Sequence, residues 1–359
     1  MPNSHFSADL EDVIRGRVAR VLRGRDWRER LISYIGYGND QFVRVLGRVV
    51  LTRGQLPDDE ADEWTSEEPD EPERHRGWRV FFTAPAVGVS VTVELPTGPR
   101  QATTDRGGYL DARFDQHGLE PGWHEIMVKV ADQDQVAARV LILGADIREG
   151  LVSDIDDTIM VTALPRPLIA AWNTFVRHES ARKVVPGMPE FYRRLLEQRP
   201  GAPIVYLSTG AWNTAPTLIR FMRRHEYPTG PMLMTDWGPT NTGWFRSGQE
   251  HKRNSLKQLA EDFPQIRWTL VGDDGQHDPD IYSEFAATHP EQVSAIAIRQ
   301  LTPTEQVLAH GLPVPTEDLP THGDGAKEQK KAAEYRAPDG FGLAQAMLPV
   351  VPSDTSAAD

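Results

Sequence analysis

The chain begins with hydrophobic positions at helical spacing and continues with short segments of strand character. Between Leu10 and Leu22 the apolar residues recur every three or four positions, which predicts a helix within an N-terminal segment at 1–40. From 41 to 144, short runs rich in β-branched residues are separated by Gly, Pro and Asp. This pattern is typical of short antiparallel strands, so we expect a small antiparallel β-sandwich domain there.

From about residue 145 the pattern changes to apolar strands that alternate with amphipathic helices. The apolar runs are short enough to be buried strands and lie at 151–153, 203–207, 231–234, 268–271 and 293–298. Such alternation predicts an α/β domain, at 145–302, whose mostly parallel sheet is covered on both faces. Residues 303–359 are rich in Pro, Gly and Asp, and we expect a largely flexible C-terminal tail.

Charge is unevenly distributed along the 359 residues. The chain carries 39 Lys and Arg against 52 Asp and Glu, which gives a formal net charge of -13. Residues 57–73 contain ten acidic residues and no basic one, so this stretch repels itself and is predicted to be a disordered loop. The acidic balance argues against a general nucleic-acid binder, whose domain usually has a basic excess.

Other features of the composition bear on location. The sequence has no run of about 18 apolar residues, so we expect no transmembrane segment. The first 20 residues lack the continuous apolar core of a secretory signal, and the chain has no cysteine, which excludes disulfides and thiol catalysis. We expect a cytoplasmic protein that can lie peripherally at a membrane. The basic N-terminal helix either binds the membrane interface or packs on the protein.

The segment LVSDIDDT carries the sharpest chemical signal. Asp154, Asp156 and Thr158 follow the first predicted strand of the α/β domain, and ligands of such sheets bind at the carboxyl ends of strands. Residues two apart in an extended segment point the same way, so both carboxylates can address one site. Such a pair suits nucleophilic attack by one and proton transfer by the other. Alone, the motif is equally compatible with helix caps and turns.

Three later segments contribute further polar groups. Ser208 ends a strand, and its hydroxyl is able to bind a phosphate oxygen. Lys252 is predicted near the start of a helix, where an ammonium group suits phosphate binding. Asp273 and Asp278 follow an apolar strand, and hard carboxylate oxygens suit Mg²⁺. The structural alternatives are a helix cap, an exposed lysine, and a turn with an Asp cap.

In this order, these motifs resemble the haloacid dehalogenase (HAD) superfamily of phosphatases. The fuller wording, VSDIDDTI, YLSTGAWN, LMTDWG, HK and GDDGQHDPDIY, is similar to its actin-patch type of phosphatidate phosphatase. The resemblance covers about residues 145–302. It implies a HAD-like Rossmannoid three-layer fold with a minimal cap, since only 49 residues separate Thr158 from Ser208.

The resemblance also implies a role for each motif residue. Asp154 would be the nucleophile and form an aspartyl-phosphate, while Asp156 would protonate the leaving group and then activate water. Lys252, the third candidate catalytic residue, would offset charge on the phosphoryl oxygens. The candidate substrate-binding residues are Ser208, Thr209 and Thr158. Mg²⁺ would be held by Asp154, Asp273 and the backbone carbonyl of Asp156, with Asp278 assisting.

We therefore expect an Mg²⁺-dependent phosphatase that converts phosphatidate, or a related lipid phosphate, to diacylglycerol or its equivalent. A sparsely capped site suits a phosphoester at a membrane surface, but it suits a phosphoprotein equally well. Thr209-Gly210 also departs from the Asn-Ser or Ser-Ser wording associated with eukaryotic relatives, which leaves the substrate open. The alternatives are a soluble small phosphoester, a phosphoprotein, or a non-catalytic scaffold built on the β domain.

Overall fold

The computed structural model describes residues 27–53, 84–131, 133, 135–161, 183–235, 244–275, 277–310 and 332–348, with 244–247 and 307–310 described only as helix backbone. The predicted N-terminal helix, the acidic loop at 57–73 and the cap segment at 162–182 lie outside these ranges and stay predictions. The chain divides into two compact units. The first runs to Asp146 and includes 230–232, and the second holds the remainder from Ile147.

The described part of the first unit forms one curled sheet. Its strands are β1 (Trp27–Gly38), β2 (Phe42–Arg53), β3 (Ala84–Pro85), β4 (Ser90–Leu95), β5 (Gly98–Thr103), β6 (Tyr109–Asp115), β7 (Gly122–Val130) and β8 (Gln135–Ile142). They are ordered β3-β2-β1-β8-β7-β4-β5, and β6 also pairs with β2. Neighbours are antiparallel except β1 and β8, which run parallel. The sheet curls, since β5 and β6 contact each other.

Alternating side chains on these strands build the core of the first unit. On β4, Val91 and Val93 are fully buried while the residues between them are partly exposed. On β7, Ile126 and Val128 follow the same alternation and join the same apolar cluster. The predicted β-rich region is thus present, built on the period-2 pattern that its sequence shows.

The first strand begins earlier than the sequence analysis placed it. We expected a helical segment through residue 40, but Trp27–Gly38 forms β1. From Leu31 to its end at Gly38 the strand is buried on both faces except at Ser33, and the buried residues include Ile32 and Tyr34. A strand covered on both faces reads as a continuous apolar run without alternation, and periodicity alone does not separate such a run from a helix.

The second unit contains parallel strands and intervening helices. Its strands are β9 (Glu149–Asp154), β10 (Met160–Val161), β11 (Lys183–Val184), β12 (Ile204–Ala211), β13 (Met232–Thr235), β14 (Arg267–Asp273), β15 (Val293–Arg299) and β16 (Ala333–Ala337). Its helices are α1 (Met188–Glu197), α2 (Ala215–Arg224), α3 (Trp244–Asp262), α4 (Asp278–Thr288), α5 (Pro303–His310) and α6 (Gly340–Met347). No helix in the described ranges combines the length and apolarity needed to cross a membrane.

Six of these strands form a sheet with β9 near its centre. The order is β13-β12-β9-β14-β15-β16, and the pairs from β12 to β16 are all parallel. Because these strands run parallel, the carboxyl ends of β9, β12 and β14 lie together at one edge of the sheet. Helix α1 buries Met188, Phe191, Tyr192 and Leu195, a spacing that places them on one helix face. The predicted α/β character of this region is confirmed.

The C-terminal region contains more structure than we expected. Within the predicted flexible tail, β16 pairs along β15, and α6 contacts both β16 and α1. Leu343 and Ala344 of α6 are buried, and Asp339 caps the helix by accepting a hydrogen bond from Gly342 N at 2.9 Å. These two elements are only five and eight residues long, so the surrounding Pro, Gly and charged residues masked them in the sequence.

Replacing Leu343 tests whether α6 belongs to the second unit's core. Its side chain is fully buried, so Leu343→Ala is expected to destabilise that unit by about 2–5 kcal/mol through lost burial and a cavity. Urea unfolding measures the change. The matched control is Gln345→Ala on the exposed side of the same helix, which should change stability by less than about 0.5 kcal/mol. Equal stabilities for the two variants would contradict the packing.

Candidate active site

Three neighbouring parallel strands carry the predicted residues to one edge of the sheet. Strand β9 ends at Asp154, and β14 beside it ends at Asp273. On the other side of β9, Leu207 of β12 is level with Asp154, which places Ser208 next to the nucleophile candidate. Ser208 was expected to end its strand, but β12 continues to Ala211, so this serine lies inside the strand. Because the three strands run parallel, the three polar side chains still lie at nearly the same level.

The loop after β9 is tightly organised. Asp157 has a φ of 58°, in the left-handed region that residues with a Cβ seldom adopt. Before it, the Asp156 Oδ2 atom accepts a 3.0 Å hydrogen bond from the Ser208 hydroxyl, which itself accepts from Gly210 N at 2.9 Å. After it, Thr158 is fully buried, and its hydroxyl has no hydrogen-bond partner among the described residues.

Lys252 joins two of the carboxylates. Its Nζ lies 2.6 Å from Asp154 Oδ1 and 2.6 Å from Asp278 Oδ1, and the lysine side chain is only 2% exposed. The sequence predicted Lys252 near a helix start, but α3 begins at Trp244, so the lysine lies in the third turn. The helix dipole therefore does not account for its role, because that field acts mainly over the first and last turns. The burial of Lys252 among carboxylates accounts for its role instead.

Asp278 and Asp273 are held by the turn between β14 and α4. Asp278 begins α4, and its Oδ2 accepts a 3.4 Å hydrogen bond from Asp273 N. Gly275 N donates to Asp273 Oδ1 at 2.7 Å. A Cβ on Gly272 would lie 2.5 Å from Asp278 Oδ2, so only glycine permits this approach. The turn thus fixes both carboxylates beneath the end of the strand.

Burial and mutual repulsion shift the protonation equilibria here. Burial raises the pKa of Asp154, and the carboxylates of Asp278 and Asp156 add to it, against the opposing charge of Lys252. Burial likewise raises the pKa of Asp273, with Asp278 and Asp154 adding to the effect. Burial alone would lower the pKa of Lys252, but the surrounding carboxylates outweigh it and hold that pKa above its ordinary value. The lysine is therefore an ammonium cation at neutral pH.

The carboxylate cluster fits a divalent cation. Asp154, Asp273 and Asp278 each offer one oxygen, and these oxygens all lie within 4.8 Å of one another. The Oδ2 atoms of Asp154 and Asp273 are buried and accept no hydrogen bond from the described residues. Three buried carboxylates face a single ammonium group, so a hard cation with oxygen ligands would balance the remaining charge and satisfy these atoms.

Other predicted residues lie at the margin of this cluster or outside it. Thr209 is half-buried, with its methyl group against Gly248 of α3, and its carbonyl accepts from the Thr235 hydroxyl at 3.1 Å. Asp274 does not join the cluster, since its Oδ1 caps Leu301 N at 2.8 Å. The described structure thus gathers Asp154, Asp156, Ser208, Lys252, Asp273 and Asp278, with Thr158 and Thr209 beside them.

Sequence reasoning missed the groups that hold the loop after β9. Arg299, at the end of β15, donates to the Asp157 carbonyl at 2.6 Å, and the Tyr227 hydroxyl donates to the Ile159 carbonyl at 2.7 Å. Below the loop, the hydroxyls of Ser153 and Tyr192 lie 2.6 Å apart. An arginine inside the apolar run AIAIRQL was a readable signal for the first of these. The tyrosines gave none, because buried tyrosines are ordinary core residues.

Comparison with known proteins shows a likeness over the same segment. Residues 149–300 match a family model described as phosphatidate phosphatase APP1, catalytic domain. The match covers less than half of the chain. The resemblance inferred from the motifs is thereby confirmed, and the matched segment, which we call the APP1-type segment, contains every residue of the carboxylate cluster. It ends before α5, β16 and α6.

Two curated relatives match part of the chain. Phosphatidate phosphatase APP1 of Saccharomyces cerevisiae is 30% identical over 151 residues, which are 42% of this chain and 25% of that protein. An uncharacterized protein of Schizosaccharomyces pombe is 26% identical over 160 residues, with the same coverage of each chain. The chain therefore spans about a quarter of the length of the curated relatives it matches.

Solved structures give only weak likenesses. The HAD domain of the effector protein Lem4 from Legionella pneumophila has 15% identity and a TM-score of 0.29, covering 43% of this chain and 88% of that one. A carbohydrate acetylesterase from Xanthomonas citri has 10% identity and a TM-score of 0.27, covering 78% and 71%. At these scores neither likeness identifies the fold or the chemistry.

A cation test follows from the carboxylate cluster. We expect Mg²⁺ to raise the melting temperature, because a cation that binds only the folded cluster stabilises the folded state. At about 100 times the Kd the gain is about 2.7 kcal/mol. Asp273→Asn removes one ligand charge and should abolish most of the shift in a thermal melt. Asp280→Asn, an exposed position on the first turn of α4, should keep it. A full shift in Asp273→Asn would contradict the site.

Proposed function

We propose that this protein is an Mg²⁺-dependent phosphatase that hydrolyses a phosphomonoester through an aspartyl-phosphate on Asp154. The observation that carries the proposal is the pairing of Asp154 with Lys252 at 2.6 Å at the end of β9, with Asp156 beside it. The match of residues 149–300 to the APP1 catalytic-domain model supports the same reaction class.

The residues divide the reaction between them. In the first step an Asp154 oxygen attacks phosphorus, the bond from phosphorus to the alcohol oxygen breaks, and Asp156 donates its proton to that oxygen. In the second step Asp156 takes a proton from water as the water oxygen attacks phosphorus, which releases phosphate and frees Asp154. Burial raises the pKa of Asp154 and the charge of Lys252 opposes that rise, which supports a role for Lys252 in keeping the nucleophile ionised.

Asp156 and Ser208 form the proton-transfer side of the site. The Ser208 hydroxyl, 3.0 Å from Asp156 Oδ2, orients the carboxyl group of the proposed acid and is close enough to reach a phosphoryl oxygen. Lys252 supplies positive charge to the oxygens that gain charge during transfer. A bound Mg²⁺, held by Asp154, Asp273, the Asp156 carbonyl and Asp278, would offset the repulsion between the carboxylates and a phosphate dianion.

We further propose that the second unit is a HAD-like three-layer domain with a minimal cap, and that the first is a small β-sandwich. The parallel pairing from β12 to β16 and the helices between these strands support the former. The strands β10 and β11 form a two-stranded hairpin, and only 21 residues connect them, too few for a large cap domain. The alternating core of the curled sheet supports the latter.

The substrate we propose is phosphatidate or a related lipid phosphate. The name of the yeast relative and the short connection between β10 and β11 support this choice, because a bulky headgroup at a membrane surface needs an open site. A peripheral cytoplasmic location, with no nucleic-acid partner, fits that substrate. A phosphoprotein, a soluble phosphoester and a non-catalytic scaffold are the outcomes that the experiments below distinguish.

Removing the nucleophile tests the chemistry. Asp154→Asn keeps the shape of the side chain but removes the attacking oxygen's charge, so kcat for a generic phosphoester should fall by more than about 10⁴-fold. Steady-state phosphate release measures this, with circular dichroism as a check on folding. The matched control is Glu284→Gln. Glu284 lies on α4, is exposed and pairs with Arg253, so its replacement should leave kcat unchanged. Undiminished turnover by Asp154→Asn would remove Asp154 from the mechanism.

A substrate series tests the lipid assignment. Phosphatidate in detergent micelles is compared with glycerol 3-phosphate, which has the same phosphoester without acyl chains, and with a phosphoserine peptide. We expect kcat/KM to be at least about tenfold higher for phosphatidate, equivalent to about 1.4 kcal/mol of transition-state stabilisation. A preference for either soluble compound would overturn the lipid proposal and leave the phosphatase chemistry standing. Wild-type inactivity on all three, with Mg²⁺ present, would favour the scaffold.

A further inference from the structure

Arg299 ends strand β15 and is almost wholly buried, with 3% exposure. Its guanidinium group makes three contacts with separate parts of the chain. Nη1 donates to the Asp157 carbonyl at 2.6 Å, Nη2 lies 2.7 Å from Glu305 Oε1, and Nε donates to the Pro338 carbonyl at 3.3 Å. The arginine thus connects the catalytic loop to α5 and to the turn before α6.

The contact with Asp157 falls where the loop backbone is most constrained. Asp157 lies between the proposed acid Asp156 and the buried Thr158, and its left-handed φ of 58° turns the chain there. On the far side of Thr158, Tyr227 holds the Ile159 carbonyl at 2.7 Å. Two side chains from distant parts of the second unit therefore fix consecutive stretches of the loop, one on each side of Thr158.

The type of side chain also indicates more than packing. An apolar residue of similar volume generally stabilises a core as well as a buried ion pair does, because both charges must be desolvated. A guanidinium group adds something that apolar groups lack, namely directional donors that fix a carbonyl at a short distance. The Asp157 carbonyl belongs to the peptide that joins Asp157 to Thr158, one residue after the proposed acid Asp156.

We propose that Arg299 is a positioning residue for proton transfer by Asp156. Its charge-assisted hydrogen bond to the Asp157 carbonyl holds the loop so that the Asp156 carboxyl group reaches the leaving-group oxygen. Glu305 assists by holding the guanidinium, and is itself fixed by Thr302, whose amide and hydroxyl donate to Glu305 Oε2 at 2.8 and 2.9 Å. The inference rests on the proposed phosphatase function, and it extends the working site beyond the APP1-type segment to α5 and the turn before α6.

The readout is the dependence of the rate on the leaving group. An alkyl phosphoester needs a proton on its departing oxygen, whereas p-nitrophenolate departs without one. In Arg299→Gln we expect kcat/KM to fall about 10–100-fold for glycerol 3-phosphate or phosphatidate, whichever wild type uses, and far less for p-nitrophenyl phosphate. Arg299→Lys, which retains a charged donor, should recover part of the loss. The ratio of the two kcat/KM values is independent of the fraction of folded enzyme.

The controls separate positioning from general stability. Arg267→Gln removes an arginine that also donates to a backbone carbonyl, that of Val293 at 3.4 Å, at the opposite end of the same strand pair, and should leave the ratio unchanged. If Arg299→Gln does not fold, Glu305→Gln, which keeps the arginine, should show a smaller loss with the same bias toward the alkyl ester. Equal losses on both substrates would overturn the inference. Wild-type inactivity on both would instead overturn the proposed phosphatase function.

Discussion

The second unit depends on the electrostatic balance around Lys252. Three buried carboxylates, of Asp154, Asp273 and Asp278, surround one ammonium group, whose Nζ lies 2.6 Å from both Asp154 Oδ1 and Asp278 Oδ1. Removing Lys252 would leave three carboxylates buried without a compensating cation, which is among the most destabilising changes available to a protein core. The ends of β9 and β14, the middle of α3 and the start of α4 are therefore bound to one another by charge as well as by packing.

This constraint explains why so much of the site was readable from the sequence. Asp154 and Asp273 each end an apolar run, and adjacent parallel strands necessarily deliver such residues to the same edge of a sheet. The sequence identified Lys252 as a candidate site residue but did not predict its burial among carboxylates. We predicted it near a helix start, while α3 begins at Trp244, two turns earlier. The weakly helical residues before it, which include Gly248, concealed the true start of the helix.

The features that could not be predicted depend on contacts between residues or strands in different parts of the fold. Arg299 and Asp157 are 142 residues apart, and nothing local to either indicates the other. Strand β16 is only five residues long and becomes recognisable only when β15 is available to pair with it. Strand β1 was missed for a related reason, since burial on both faces removes the alternation by which a half-exposed strand is read. In each case tertiary contacts, rather than local propensity, select the structure.

Strand β16 and helix α6 help to hold the loop after β9. The Gln300 amide donates to the Ala337 carbonyl at 2.8 Å, and the Gly340 amide donates to the Pro186 carbonyl at 2.9 Å, so β16 and the start of α6 attach both to β15 and to the segment that enters α1. The Val185 amide in turn donates to the Ile159 carbonyl at 3.1 Å, directly after the loop. The loop is thus held by contacts from several later parts of the chain. Its left-handed residue, Asp157, is costly to hold alone, and the structure maintains it because these contacts are formed together. The precision of the proposed acid therefore depends on completing the sheet as far as β16, well beyond the motifs that identify the chemistry.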